Sequence, residues 1–277
     1  MMAAGRHRSK PRSRQSDINL DVYAEESVAR EYGQPGQVLF HGERTVLDRI
    51  SPSITGKSVL DIGVGGGRTT APLLKLTDDY LGIDFSPAMI AACKARFPAV
   101  EFRLCDVRDL SVLGPKIYDF IWFSWNGIDS LDDEERQTAL QQVFAKLKPG
   151  GLYFFATHNR LAKRERPWDL SLYVYRWRWN ASDPVKSSIL LARSCWNYLR
   201  YRHLQKETDR YSIRVDSGHD FGCVHYYADP IEQVRQLQAI GFADIQIMTG
   251  GGARQTPDSE SLRRAVHLLF LARRPDG

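Results

Sequence analysis

The chain has no apolar run near the roughly 20 residues that a membrane-spanning helix needs, and no apolar stretch follows the arginines near its start, so neither a span nor a secretory leader is expected. It has little cysteine. Cys93, Cys105, Cys195 and Cys223 form no C-x-x-C pair, and the seven histidines are as widely scattered, so zinc-type ligand spacing is missing and no metal is expected. Four unpaired thiols suit a reducing compartment, and a cytoplasmic location is expected. Acidic residues are absent from the first fifteen positions, which carry Arg6, Arg8, Lys10, Arg12 and Arg14. Those five account for the net charge of +5: the remainder holds 33 basic side chains against 33 acidic ones. The excess is thus confined to a tail, read as disordered over residues 1–16, and gives no reason to expect nucleic acid as a partner of the folded body. Internal repeats are also lacking.

What is present is alternation. Short apolar runs at Lys57–Ile62, Tyr80–Asp84, Val100–Cys105, Ile117–Phe123 and Leu152–Thr157 read as buried strands. Helical stretches are expected at Gln37–Ile50, Thr69–Leu76, from Pro87, and at Asp132–Leu147. Strand–helix alternation of this kind predicts a parallel sheet covered on both faces, a doubly wound α/β fold. The pattern breaks at residues 160–227, an insertion rich in aromatic and basic residues, with a helix expected at Val185–Leu204 and strands at Tyr211–Val215 and Cys223–Tyr227. It resumes with a helix at Pro230–Ile240 and two strands, Ala243–Met248 and Ala265–Arg273, expected as an antiparallel hairpin at the sheet edge. The body is therefore residues 17–159 with 228–277, and residues 160–227 are expected to form a lid over the substrate.

Four segments at strand ends carry chemistry. Val59-Leu60-Asp61-Ile62-Gly63-Val64-Gly65-Gly66-Gly67 runs a strand into a glycine turn, where backbone can take positive φ and a ligand can approach closely. Arg68 stands where a dinucleotide fingerprint needs its third glycine, which argues against a dehydrogenase. Asp61 before the glycines suits a cationic ligand and would repel a pyrophosphate. S-adenosylmethionine, which carries an ammonium and a sulfonium and no phosphate, fits that pattern. Gly82-Ile83-Asp84-Phe85-Ser86 puts a carboxylate about 20 residues further on, where ribose hydroxyls are bound. Asp106 in Leu104-Cys105-Asp106-Val107 is placed for an adenine amino group, with Val107 and Met89 flanking the ring; Asp109 is an alternative acid. Phe123-Ser124-Trp125-Asn126-Gly127-Ile128-Asp129 follows the fourth strand, beside the switch point where ligands of open sheets sit, and lacks the Asn/Asp-Pro-Pro-aromatic tetrad of amino-directed base methyltransferases.

From about Val59 to Asn159 the chain resembles class I S-adenosylmethionine-dependent methyltransferases of the small-molecule type. The resemblance rests on Asp61–Gly67, Asp84, Asp106 and Leu147-Lys148-Pro149-Gly150-Gly151. It implies a Rossmann-like sheet of seven strands, the last antiparallel. It implies cofactor contacts at Asp61, Gly63, Gly65 and Gly67, at Asp84 and Phe85, at Met89, Asp106 and Val107, and at Ser124 and Asn126. His158, after the fifth strand, is the candidate base or acceptor ligand, and Asp129 a second catalytic candidate. His219, Asp220, His225, Tyr226 and Tyr227 are further candidates for the pocket roof. The arginines and aromatics of the insertion suit an anionic or glycosylated acceptor. The expected function is methyl transfer to a small molecule or glycan, at oxygen. An RNA or protein methyltransferase and a non-catalytic cofactor-binding scaffold are the alternatives.

Overall fold

The computed structural model describes residues 11–34, 36–169 and 184–276. The expected basic tail over residues 1–10 and the part of the aromatic and basic insertion at residues 170–183 lie outside these.

Five parallel strands form the core of the sheet: β1 (Val59–Ile62), β2 (Tyr80–Asp84), β3 (Phe102–Leu104), β4 (Tyr118–Phe123) and β5 (Leu147–Asn159). Three short insertion strands follow, β6 (Lys206–Glu207), β7 (Tyr211–Asp216) and β8 (Cys223–Ala228), then β9 (Ala243–Thr249), β10 (Arg254–Gln255) and β11 (His267–Arg273). The main order is β3-β2-β1-β4-β5-β11-β9-β10, with β11 antiparallel to both of its neighbours. The expected antiparallel pair is present as β9 and β11, with only β9 of the two on the side away from the parallel strands. β11 is inserted between β5 and β9, and its run Leu268–Ala272 is buried throughout, which an edge strand would not require.

The helices are α1 (Arg14–Ala24), α2 (Glu26–Tyr32), α3 (His41–Ile54), α4 (Thr70–Leu74), α5 (Pro87–Arg96), α6 (Asp133–Lys146), α7 (Pro184–Tyr201), α8 (Pro230–Ile240) and α9 (Glu260–Arg264). Side-chain alternation along the central strands divides the apolar residues between two cores. Leu60 and Ile62 pack with Leu140 and Val143 of α6 and Leu237 of α8. Val59, Phe120 and Trp122 pack on the other face with Val46 and Ile50 of α3 and Leu73 of α4. Local signals set the boundaries. Ser86 caps α5 by accepting from Met89 N–H, with Pro87 in the first turn. Asp132 and Glu135 form a capping box on α6. Gly241 ends α8 at φ +115°.

Two features bear on the site. The first is the insertion, which is built onto the sheet: β7 and β8 pair antiparallel, and β8 continues beside the end of β5 through His158–Tyr227 and Asn159–Ala228. The second is the N-terminal segment. Residues 13–16 of the expected tail are folded, because Ser13 caps α1 and Gln15 and Ser16 are buried.

Candidate active site

Because β1 pairs with both β2 and β4, the chain leaves the sheet in opposite directions at its carboxyl end there, the place where open α/β sheets form a crevice. A cleft of about 830 Å³ opens at this point, within the usual range for a small-molecule site.

Its floor is the glycine turn. Gly63 and Gly65 take φ of +66° and +53°, the left-handed region that glycine tolerates. Asp84, at the end of β2, reaches across to this turn. Its Oδ2 accepts from Gly65 N–H at 3.0 Å and its Oδ1 from Ser86 N–H at 2.9 Å. Each oxygen keeps a further lone pair, so the carboxylate can accept two more hydrogen bonds, as a vicinal diol would require. Burial outweighs these donors and pushes the Asp84 pKa up to about 6.

Of the residues expected to hold the cofactor, Gly63, Gly65, Asp84, Phe85, Met89, Asp106, Val107 and Ser124 line the cleft. Asp106 does so while paired with Arg108 at 2.7 Å and Arg12 at 3.3 Å; burial alone would raise its pKa, but Arg108 first and then Arg12 hold it below the usual carboxylate range. Ser124 is held by Arg68, which also pairs with buried Glu43. Asp61, Gly67 and Asn126 are not among the lining residues. Asp61 is enclosed: Oδ2 accepts from Thr69 and Tyr80 hydroxyls at 2.6 and 2.8 Å, and Oδ1 has no partner among the described residues. Burial pushes its pKa up to about 7.

The roof comes from segments with no strong sequence signature. Tyr23 and Tyr32, from α1 and α2, also line the cleft, and Tyr32 packs against the glycine turn. The Tyr32 carbonyl is seated so closely on Gly66 that a Cβ there would lie 2.0 Å from its oxygen. Ser86 Oγ donates to the Tyr23 carbonyl at 2.8 Å, fastening α1 to α5. His219 completes the roof. Its Nε2 lies 3.3 Å from Tyr32 Oη, and its ring is 5.4 Å from that of Tyr23. Among the described residues it is the histidine that lines the cleft. Burial lowers its pKa, so its neutral form is favoured. His219, Asp220 and Phe221 have φ of +48°, +57° and +59°, while Trp125, which also lines the cleft, and its neighbour Asn126 have +22° and +54°. Strain of this kind, held at about 1–3 kcal/mol per residue, gathers where a site demands it. Arg193, Asn197 and Arg200 of α7 line the same cleft, and Asn197 Nδ2 donates to the Asp220 carbonyl at 3.0 Å.

His158 and Asp129 are brought together, but neither lines the cleft. Asp129 is fully buried. It accepts from Arg136 at 2.6 Å, Thr157 Oγ1 at 2.6 Å, His158 N–H at 2.6 Å and His158 Nδ1 at 2.8 Å. Burial would raise its pKa, yet Arg136 first and then His158 hold it below the usual carboxylate range. Asn126, on the same side, meets His267 Nδ1 at 2.9 Å and His158 Nε2 at 3.4 Å.

Residues 59–151 match the methyltransferase domain family. Over 116 residues the chain is 35% identical to the ubiquinone biosynthesis O-methyltransferase of Nitrosococcus oceani, covering 40% of this chain and 48% of that protein. Over 122 residues it is 25% identical to a probable S-adenosylmethionine-dependent methyltransferase of Mycolicibacterium smegmatis, covering 44% and 46%. The matches thus span about half the length of these relatives. Among solved structures, the CcbJ methyltransferase of Streptomyces caelestis aligns at TM-score 0.58 and 16% identity, covering 91% of this chain and 98% of the other. The N-methyltransferase NodS of Bradyrhizobium japonicum aligns at 0.52 and 17%, covering 94% and 99%. At such identities the structural likeness shows the fold. Residues 59–151 thus belong to the methyltransferase domain family, and the chain has the fold of the solved methyltransferases it aligns with.

Proposed function

We propose that the protein transfers the methyl group of S-adenosylmethionine to an oxygen of a small-molecule or glycan acceptor. The observation that carries the reading is the single cleft that joins Asp84 and the glycine turn to a roof of Tyr23, Tyr32 and His219. The cofactor, when bound, supplies a methyl group on a sulfonium leaving group, so the protein mainly positions the reactants. The residues present suit it. Asp84 keeps acceptor capacity for two ribose hydroxyls, Met89 and Val107 offer apolar contact to the adenine, and Gly63 and Gly65 admit close approach of the amino-acid end.

On the acceptor side, the Tyr32–His219 pair is the proton-accepting unit. A neutral imidazole facing the cleft can take a hydroxyl proton, and Tyr32, kept protonated by burial, can orient it. This role goes to His219 because it faces the cleft, whereas His158 is buried away from it. Arg193 and Arg200 favour an acceptor that bears negative charge. The oxygen target also draws support from the ubiquinone biosynthesis O-methyltransferases among the sequence relatives. No described helix is long and apolar enough to cross a membrane. Release of S-adenosylhomocysteine during incubation with an acceptor panel tests the reading. Turnover on phenolic, sugar or carboxylate hydroxyls supports it; turnover only on RNA or protein would replace it.

A further inference from the structure

Where β5, β7 and β8 meet, three buried side chains converge: His158 on β5, Asp216 at the end of β7 and His225 on β8. One donor atom from each lies within 4.8 Å of the others. His158 Nε2 is 3.7 Å from Asp216 Oδ2, and His225 Nδ1 is 3.7 Å from Asp216 Oδ1. These separations are too long for hydrogen bonds. Both are close to the spacing of two ligands on one ion, since bonds of about 2.0–2.2 Å in a tetrahedral set hold the ligand atoms roughly 3.4 Å apart; the two histidine nitrogens, within 4.8 Å, would draw together on binding.

The groups around the triad fix each ligand for that task. Asp129 takes the Nδ1–H of His158 at 2.8 Å, which leaves the lone pair on Nε2, the nitrogen nearer Asp216; its other polar contact there, Asn126 Nδ2 at 3.4 Å, is long and an ion would replace it. A histidine ligand commonly donates its second nitrogen to a carboxylate in this way. Asp216 is oriented by Gly218 N–H at 2.7 Å and Tyr227 Oη at 2.5 Å. His225 Nε2 lies 3.5 Å from Tyr23 Oη, while its Nδ1 is buried and makes no hydrogen bond among the described residues. A buried nitrogen without a partner in a ring only 6% exposed calls for an explanation.

We propose that His158, Asp216 and His225 bind one first-row divalent transition ion, zinc or a close analogue. Two imidazoles and one carboxylate suit such ions. Three protein ligands leave a fourth position for water. The ion would offset the buried Asp216 charge and satisfy His225 Nδ1. It would also clamp the insertion strands to the end of β5, since each ligand comes from a different strand. The sequence hides this site because its ligands are 58 and 9 residues apart and form no short motif. The proposal does not depend on methyl transfer.

The test is titration of chelator-treated full-length protein with Co2+, read by visible absorption, and with Zn2+, read by calorimetry. Binding of one ion per chain is expected. His225→Ala and Asp216→Asn should weaken it at least tenfold, and Asp84→Ala should leave it unchanged. Thermal melting shows which variants are folded; if His225→Ala is not, His225→Gln takes its place. No saturable binding to folded wild-type protein would overturn the proposal and leave proton sharing among the three groups as the explanation. Binding that persists unchanged in the folded variants would overturn it as well.

Discussion

The Asp84 carboxylate accepts the Gly65 N–H at 3.0 Å. The ends of the first two strands are thereby locked to the glycine turn. The group that would hold the ribose and the turn that would admit the amino-acid end of the cofactor are one hydrogen-bonded unit. Their relative placement is set before any ligand arrives, which lowers the ordering cost of binding.

Asp84 should make cofactor affinity pH-dependent. Burial raises its pKa to about 6, and the ionised form is the better acceptor of hydroxyls. S-adenosylhomocysteine affinity by calorimetry should be level from pH 8 to 7 and fall by up to about tenfold toward pH 5. Asp84→Asn should remove the dependence. For stability the sign is opposite. A carboxyl whose folded pKa is raised favours the fold below its unfolded value, and that contribution is lost as pH rises through about 6. A level affinity down to pH 5 would contradict the assignment.

Gly66 should act as the seat of the roof. A Cβ there would meet the Tyr32 carbonyl at 2.0 Å, so Gly66→Ala must displace α2 or the turn. Amide exchange of residues 14–32 should accelerate, while the central strands keep their protection. Unchanged exchange in α1 and α2 would show that the roof is held elsewhere.

His219→Gln should lower kcat by about 10²–10⁴-fold if the imidazole takes the acceptor proton, and leave S-adenosylhomocysteine binding nearly intact. Burial, followed by the smaller effect of His225, lowers the His219 pKa, while Glu31, Asp216 and Asp220 oppose the shift. The acid limb of kcat should therefore lie below pH 6.5, the ordinary histidine value, and vanish in the variant. An unchanged kcat on the true acceptor would remove the role.

Arg136 should be the main buried anchor of the Asp129 carboxylate. Its guanidinium meets Asp129 at 2.6 Å, Gln233 at 2.7 Å and Thr157 at 3.1 Å, and lies 4.6 Å from the Tyr226 ring centroid. Arg136→Ala would strand the Asp129 charge and cost about 3–5 kcal/mol. Urea unfolding reads this directly; a loss under 1 kcal/mol would mean the charge is compensated in another way.

The sheet was legible because its strands are apolar and short and its turns carry glycine, proline and capping residues. Asp84 and the Gly63–Gly65 turn were legible because a strand end followed by glycines has few structural uses. Asp61 reads in the motif as a ligand contact, and what the sequence does not show is that Thr69 and Tyr80 donate to one of its oxygens. The roof was hidden for a physical reason. Much of the attachment of α1 is polar: Gln15 donates to the Asp129 and Leu131 carbonyls and Asn19 to those of Ser130 and Val224, beside apolar contacts from Ile18, Val22 and Tyr23. Hydrophobic periodicity does not register such a contact, and the neighbouring arginines made the segment resemble a tail. His219 was visible only as one of several roof candidates, since its placement depends on three consecutive positive-φ residues that no local pattern announces.

The central claim is that the cleft at Asp84 binds S-adenosylmethionine. Calorimetric titration with S-adenosylmethionine and S-adenosylhomocysteine, with NAD as control and Asp84→Ala alongside, tests it most directly. The account predicts micromolar binding of both sulfur ligands, none of NAD, and about a 10–100-fold loss in the variant, the worth of hydrogen bonds to a charged acceptor. Folded protein that binds neither sulfur ligand, or binds them equally well without the Asp84 carboxylate, would contradict it.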